Sequence, residues 1–436
     1  MSVAAPSEGS RRTRQAIGPG ASVGTRTAAS RSGRPRKKIA YVMSRFPKIS
    51  ETFILFEILA MQEQGFDVEL YPLQRERGPV IHPEAARLVS KAHYQPFVAP
   101  GMVASHARFL LRAPRQYAAT LWTLLRATWG SPKFLAGVIV FFPKIGHMAR
   151  LMEQAGVDHV HCHFASHPAA AGFAIHRLTG IPFSFTAHGS DLHVDRHMLC
   201  EKLAEAAFVV AISNDNRQVI ERECGEPWRQ NIAVIHTGVD TSLFRPAEAR
   251  REGPFRIVCV GRLIEVKGQQ NLIEACRSLA AAGVDFRCQL VGEGPDRRML
   301  GQRIAQAGLT DRVVLLGARS RNEVVELIRG ADVVVASSVP TRSGSREGIP
   351  VALMEAMSAA VPVVASDISG IPELVDDGVS GVLVPPGDPG AIGNALLRLH
   401  ADPAERRRMG EAGREKVLRE FDLRANTAQL AQRFAA

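Results

Sequence analysis

Apolar residues along this chain follow two alternating rhythms. In KKIAYVMSRFPKISETFILFEILAMQEQGFDVELYPL, residues 37–73, the apolar run at 39–43 predicts a buried strand, and Ser50 to Gln64 has the period of an amphipathic helix. DVELYPL resumes strand character after Gly65. The unit recurs: VDHVHCHF leads into a helix over 168–178, PFSFTAHG follows, and AAFVVAIS precedes a helix beginning near Asn214. Strands alternating with helices imply a parallel sheet covered on both faces.

The rhythm breaks at TGVDTSLFRPAEARREGP, a polar stretch punctuated by Pro246, Gly253 and Pro254 that reads as a linker. It restarts with FRIVCVGRL as a strand, GQQNLIEACRSLAAAG as a helix, and FRCQLVGEGP, RVVLLG, DVVVASS and PVVASD as further strands. The predicted fold is α/β, with two doubly wound domains at 39–245 and 254–415 and a linker at 246–253. Residues 416–436 are expected to form a helix returning to the first domain. In such sheets ligands sit beyond the carboxyl ends of the strands, here in an interdomain cleft.

Composition supports a folded chain: 436 residues, 46% of them hydrophobic, can bury a large core. Cys162, Cys200, Cys224, Cys259, Cys276 and Cys288 are scattered without a C-x-x-C pair. Neither a disulfide framework nor a zinc ribbon is expected, and the usage suits a reducing, cytoplasmic compartment. The net charge of +11 is uneven: residues 1–38 carry +8, residues 101–150 carry +7 with no acid, and the remainder carries −4. That distribution argues against a nucleic-acid binder. The first 38 residues, rich in Ala, Ser, Gly and Arg without apolar periodicity, read as a disordered basic tail rather than a transit or secretory signal. The longest apolar run, LAGVIVFF at 135–142, is well short of the roughly 18 residues that suggest a membrane span.

Position in the strands supplies candidate site residues. The second domain's strand ends deliver Gly261 and Arg262, Gly292 to Pro295, Gly317, Ser337, Ser338 and Ser366. Arg262, Lys267 and Gly268 precede a helix, an arrangement suited to a diphosphate, although a solvated basic loop has the same composition. In REGIPVALMEAM, residues 346–357, Pro350 suits a helix start, which puts Glu347 in the loop before it and Glu355 inside it. A retaining glycosidase holds its two carboxyl groups about 5 Å apart. Eight residues of helix rise roughly 12 Å, so these acids do not share one scissile bond. N–H groups near Gly348 and Ile349 are better read as holding an anion, with the two acids accepting from hydroxyls of a sugar and a ribose on either side.

These residues carry a family resemblance. EGIPVALMEAMSAAVPVVASDISGIPELVDDGVSGVLVPPGD resembles the E-x7-E region of the family 4 retaining glycosyltransferases of the GT-B fold, two Rossmann-like domains facing across a cleft. VGRLIEVKG resembles their Arg/Lys diphosphate motif, and TAHGSD and IHTGVD are similar to their first domain. SRFPKISETFILFEI and HVHCHFA resemble, more narrowly, the colanic acid and exopolysaccharide biosynthesis members. Many relatives carry a Gly-rich loop after the first strand, where this chain has Lys48, Ser50, Glu51 and Thr52.

The resemblance implies transfer of a hexose-type sugar from a nucleotide diphosphate donor with retention of configuration, without a bound metal or other cofactor. Arg262 and Lys267 would neutralise the leaving diphosphate, Glu347 would hold donor sugar hydroxyls, and Glu355 the ribose. His188 would face the reacting sugar. Gly261, Gly292, Glu293 and Gly294 would border the nucleotide, with Gly348 and Ile349 at the phosphate. Ser50, Glu51, Thr52 and His163 would lie on the acceptor side. The implied acceptor is a glycan or a polyprenyl-diphosphate-linked sugar.

Other readings stay open. A nucleotide-sugar epimerase or a phosphorylase of the same fold would turn over without an acceptor or depend on phosphate, and a non-catalytic nucleotide-sugar binder would do neither. His159, His161, His163 and His167 suggest zinc, but strands of parallel sheets are usually buried and such residues usually pack in the core. Asp191, His193 and Asp195 read as a polar loop and helix start. Residues 101–150 combine Phe109, Leu110, Leu111, Trp122, Leu124, Leu125, Phe141 and Phe142 with unopposed cations. They suit an anionic membrane surface, or equally two domain helices with a basic face.

Overall fold

The computed structural model describes residues 36–48, 51–76, 83–248 and 253–435, so the tail 1–35 and the candidate Ser50 lie outside the described residues. The first sheet contains β1 (Lys38–Phe46), β2 (Asp67–Arg75), β3 (His159–His163), β4 (Phe183–Ala187), β5 (Phe208–Ala211) and β6 (Ile232–Val234), in the order β2-β1-β3-β4-β5-β6. The second contains β7 (Phe255–Val260), β8 (Phe286–Val291), β9 (Val313–Gly317), β10 (Val333–Ala336), β11 (Val363–Ser366) and β12 (Val382–Val384), in the order β12-β11-β10-β7-β8-β9. Neighbouring strands pair in parallel throughout. In each sheet the order reverses once, between β1 and β3 and between β7 and β10. Those reversals open the crevices where ligands of doubly wound sheets bind.

Every residue of β3, β4 and β5 is buried, and the polar side chains among them, His159, His161, Ser184 and Thr186, hydrogen-bond to one another between β3 and β4. One face is covered by the helices Pro132–Ala155 and His167–Thr179, the other by Thr52–Glu63 and Leu423–Ala435. The last of these belongs to the end of the chain. The helix Pro403–Glu420 packs on Val351–Ser358 in the second half, and the chain then crosses at Phe421 to Leu423. There Val239 N–H donates to Phe421 O at 2.9 Å and Leu423 N–H donates to Val239 O at 3.0 Å. The outgoing and returning strands of the crossing therefore brace each other.

Of the helices between β2 and β3, the last three, Pro100–Arg112, Pro114–Thr128 and Pro132–Ala155, each begin on a proline, whose missing N–H has no helical partner at that position. Ser131 caps the third by accepting from Phe134 N–H at 3.2 Å, and Gly156 ends it in the left-handed region. This 24-residue helix is long and apolar enough to cross a membrane, but its Phe134, Val138, Phe142 and Ile145 are buried in the first core.

Three expectations change. Lys38 is the first residue of β1 rather than the end of the tail, with its ammonium 3.0 Å from Glu69 Oε1. Pro350 stands one residue before its helix, as the N-cap, not in the first turn. Cys200 and Cys224 form a disulfide, against the expectation of none. The helices Leu199–Glu205 and Asn214–Cys224 pack together and bring two distant cysteines within 5.2 Å between Cα atoms, a proximity no local motif announces. The other four cysteines are free and buried.

Candidate active site

The second half builds its part of the site from loops laced across neighbouring strand ends. Gly261 N–H donates to Val291 O and Leu263 N–H to Glu293 O, each at 2.9 Å. Gly292 has a φ of +140°, and a Cβ there would lie 2.0 Å from Gly261 O. A Cβ on Gly294 would lie 2.2 Å from Leu263 O. Gly292 and Gly294 of the predicted nucleotide border are thus required by loop contact. Glu293 is an exposed partner of Arg297 at 3.1 Å.

A single 3-10 turn, Glu265–Lys267, follows, and Gly268 at φ +60° starts the helix Gln269–Ala281 against Ser337, whose hydroxyl donates to Gly268 O at 2.9 Å. The turn aims Lys267 at the loop before Pro350, where its Nζ is 2.6 Å from Glu347 Oε2. The buried Gln269 amide donates to Arg262 O at 2.9 Å and so fixes that loop, while the Arg262 side chain is exposed with no ion-pair partner among the described residues. At the ends of β10 and β11 the hydroxyls of Ser338 and Ser366 are buried without a hydrogen-bond partner among the described residues.

Glu355 is half-buried on the helix Val351–Ser358. Burial pushes its carboxyl pKa up to about 7, against the pull of Arg321. Arg321 reaches the first half: its guanidinium lies 3.7 Å from the ring centroid of Phe56 and 3.8 Å from Asp240.

The first half approaches closely from β4. A Cβ added at Gly348 would lie 2.9 Å from His188 O and 3.2 Å from Ile212 Cδ1. Nearby, Glu373 accepts from the N–H groups of Asn214 and Asp215 at 2.8 and 2.9 Å, at the amino end of the helix Asn214–Cys224. The end of β4 at His188 and the loop carrying Glu347 therefore meet where the two halves touch.

His188 is seated by its surroundings. Its backbone N–H donates to Asp191 Oδ1 at 2.9 Å, and Asp191 also accepts from Ala165 N–H at 2.5 Å, tying the ends of β3 and β4 together. Asp191 is a buried anchor: burial raises its pKa, and the N–H groups of Ala165 and His188 oppose the rise. Beneath it the buried Lys202 ammonium donates to Ala165 O and His197 O, and burial pushes its pKa down to about 7 against the charge of Asp191. Phe53 and Phe164 flank the His188 ring at 4.8 and 4.7 Å between centroids. His188 Nε2 is 3.0 Å from His163 Nδ1, and His163 Nε2 is 3.2 Å from Glu57 Oε1.

The remaining acceptor-side candidates are less engaged. Glu51 pairs with Lys48, and Thr52 opens the first helix. A narrow cavity of about 20 Å³ between His188, Glu57, His236, Thr237 and Asn426 has room for roughly one water. Glu57, His161 and His163 place ligand atoms within 4.8 Å of one another. Both ring nitrogens of each histidine are already hydrogen-bonded, those of His161 to Ser184 and Thr186 at 2.8 and 3.0 Å. A metal would have to displace those bonds.

Sequence reasoning missed Glu57, Arg321 and Glu373. For Glu57 a signal existed: a lone acid inside the apolar helix TFILFEILAMQE needs buried partners. Arg321 and Glu373 act across the cleft, and nothing local in the sequence marks that.

Two doubly wound parallel domains, with Lys267 and Glu347 at the loops between them, have the GT-B architecture of glycosyltransferases. Comparison agrees with the geometry. The family profile described as "Glycosyl transferases group 1" matches residues 240–416, and that described as "Glycosyltransferase Family 4" matches residues 126–243. The chain is 32% identical to the putative colanic acid biosynthesis glycosyltransferase WcaL of Salmonella typhimurium, over 90% of this chain and 98% of that one. It is also 32% identical to the amylovoran biosynthesis glycosyltransferase AmsK of Erwinia amylovora, over 91% and 98%. The chain belongs to this glycosyltransferase family. Among solved structures, Anabaena Alr3699/HepE in complex with UDP superposes with a TM-score of 0.68 at 18% identity, over 92% of this chain and 99% of that one. The sucrose-phosphate synthase of Thermosynechococcus elongatus superposes at 0.67 and 20%, over 91% and 98%.

Proposed function

We propose that the protein transfers a hexose-type sugar, with retention, from a nucleotide diphosphate donor to a glycan or polyprenyl-diphosphate-linked acceptor in exopolysaccharide assembly. The observation that carries this reading is the Lys267–Glu347 ion pair, on the loop whose Gly348 packs against the His188 backbone. The relatives named for colanic acid and amylovoran biosynthesis, and the fold neighbour that binds UDP, support the pathway class and the donor class. Negative charge grows on the diphosphate as the bond to the sugar breaks, and fixed cations in a water-poor cleft stabilise it. Lys267 and Arg262 supply those cations. Glu347, released from Lys267 by the incoming diphosphate, accepts from donor sugar hydroxyls, and Glu355 accepts from the ribose. The cations take over the charge stabilisation a metal would give, so transfer is expected without one.

The acceptor side carries a surface suited to the cytoplasmic face of a membrane. The last three helices between β2 and β3 expose apolar residues: Val103, Leu110 and Leu111 on the first of them, Trp122 on the second with Trp129 just beyond it, and Ile139 and Val140 on the third. Arg115, Arg126 and Lys133 are exposed among them. Apolar stripes edged by cations fit an anionic lipid interface.

The test offers purified protein a panel of labelled nucleotide sugars with membrane lipid extract, with and without EDTA, and reads the anomeric configuration of the product by NMR. Label entering a lipid or glycan fraction as the retained anomer, undiminished by EDTA, is the expected result. Turnover without an acceptor, or an inverted product, would sink the reading.

A further inference from the structure

We propose that Glu57, acting through His163, locks His188 in the tautomer that carries its proton on Nε2 and offers Nδ1 as an acceptor for a sugar hydroxyl. Glu57 and His163 are then positioning residues for His188. The use of Nδ1 rests on the transferase reading above; the lock itself does not.

A chain of hydrogen bonds links Glu57 to His188 through His163. As a carboxylate, Glu57 only accepts. Its Oε1 takes the Tyr41 hydroxyl at 3.0 Å and lies 3.2 Å from His163 Nε2, so that nitrogen must carry a proton. A neutral imidazole has one N–H, which leaves His163 Nδ1 bare. His163 Nδ1 is 3.0 Å from His188 Nε2, so the hydrogen between them belongs to His188. His188 Nδ1 is then bare as well, and it has no hydrogen-bond partner among the described residues.

The surroundings hold this order in place. The His163 side chain is wholly buried and stacks on the buried Tyr41 ring at 5.6 Å, so it cannot turn to exchange its nitrogens without breaking both bonds. His188 is wedged between Phe53 and Phe164. Burial, and the neighbouring His163, hold the His188 imidazole well below the ordinary histidine range, which keeps it neutral. A sugar offers hydroxyl hydrogens, and a neutral acceptor nitrogen of fixed direction is the complement. Without the lock the two neutral tautomers would mix, and the Nδ1–H form would meet a hydroxyl as a second donor.

The test is nitrogen-15 NMR of the full-length protein labelled at histidine, with His188 and His163 assigned by the loss of their signals in His188→Gln and His163→Gln. In the ligand-free wild type both rings are expected to show protonated Nε2 and bare Nδ1. Glu57→Gln, whose carbonyl oxygen still accepts from His163 Nε2, should keep that pattern. Glu57→Leu should mix the His188 tautomers and lower kcat roughly tenfold, the value of one hydrogen bond, with donor KM little changed. Added zinc should leave the His163 signals in place. A proton on His188 Nδ1, a doubly protonated His163, or zinc captured by Glu57, His161 and His163 would overturn the lock, whatever the transfer assay shows. Should Glu57→Leu fail to fold, the wild-type pattern still decides. An active transferase with the wrong tautomer refutes the lock alone, and a locked protein without transfer refutes only the reading of function.

Discussion

Lys267 Nζ sits 2.6 Å from Glu347 Oε2, so the cation proposed for the donor's diphosphate and the carboxylate proposed for its sugar neutralise each other in the ligand-free protein. Both side chains are mostly buried, at 21% and 16% exposure, so breaking the pair carries a real desolvation cost that the donor must offset on both sides at once. The two single variants should therefore differ. Lys267→Ala is expected to weaken nucleoside diphosphate binding about 10- to 100-fold, the loss of a charged hydrogen bond. Glu347→Ala should bind the diphosphate as tightly as wild type or more so, because Lys267 is released, while transfer falls by at least about a hundredfold. Calorimetry with the nucleoside diphosphate, beside a transfer assay, measures both.

Glu355 brings pH into donor binding. Burial pushes its carboxyl pKa up to about 7, so below that value it is protonated, and on the proposed reading the ionised group above it accepts from ribose hydroxyls. Donor affinity should rise as pH goes from 6 to 8, with a proton released on binding at the lower end. Glu355→Gln should flatten the profile. For stability the sign is opposite: a folded pKa raised above the unfolded one favours the fold at low pH, and that contribution fades as pH rises through 7. Titration calorimetry in two buffers of different ionisation heat reads the proton directly.

Most of the candidate site was legible because it is local. Arg262, Lys267 and Gly268 fall at one strand end, and Glu347 and Glu355 flank one proline, so spacing alone groups them. The layers were legible too, since the strands alternate with helices in the pattern itself. The three-residue strands β6 and β12 were not, because so short a run carries no period. Long-range pairs escaped altogether. The Cys200–Cys224 bridge and the buried anchor Asp191 depend on which loops the sheet order brings together. The apparent metal motif of alternating histidines resolved into hydrogen bonds with Ser184 and Thr186 on the next strand, a partner visible only once β3 pairs with β4.

The exposed Trp122 and Trp129, at 67% and 77%, make the membrane surface testable. Trp122→Ser with Trp129→Ser should weaken sedimentation with phosphatidylglycerol vesicles by at least roughly tenfold, given the large apolar area each indole would bury. Arg115→Glu with Arg126→Glu should weaken it on anionic vesicles but not on neutral ones, since each cation is worth about 1 kcal/mol near a charged surface. Circular dichroism should show an unchanged fold in both, because these side chains point away from the core.

Glu373 gives the cleft a latch. Its carboxylate takes two backbone N–H groups and the Asn214 amide at 2.8 to 3.0 Å, at the amino end of a helix on the opposite half, where the helix dipole adds to the attraction. The same face is close-packed, for a Cβ on Gly370 would lie 2.9 Å from Ser213 Cβ. Glu373→Ala leaves the orphan N–H groups to water and should cost about 1–2 kcal/mol of stability. Glu373→Gln keeps one acceptor and should cost less than half of that. The two halves would then part more readily, so Glu373→Ala should also raise donor KM, because the His188 side would meet Lys267 and Glu347 less often. Urea unfolding of the three proteins gives the stability order, and small-angle scattering should show a larger radius of gyration for Glu373→Ala alone. Equal stability and equal radius in all three would show that the contact does not hold the halves together.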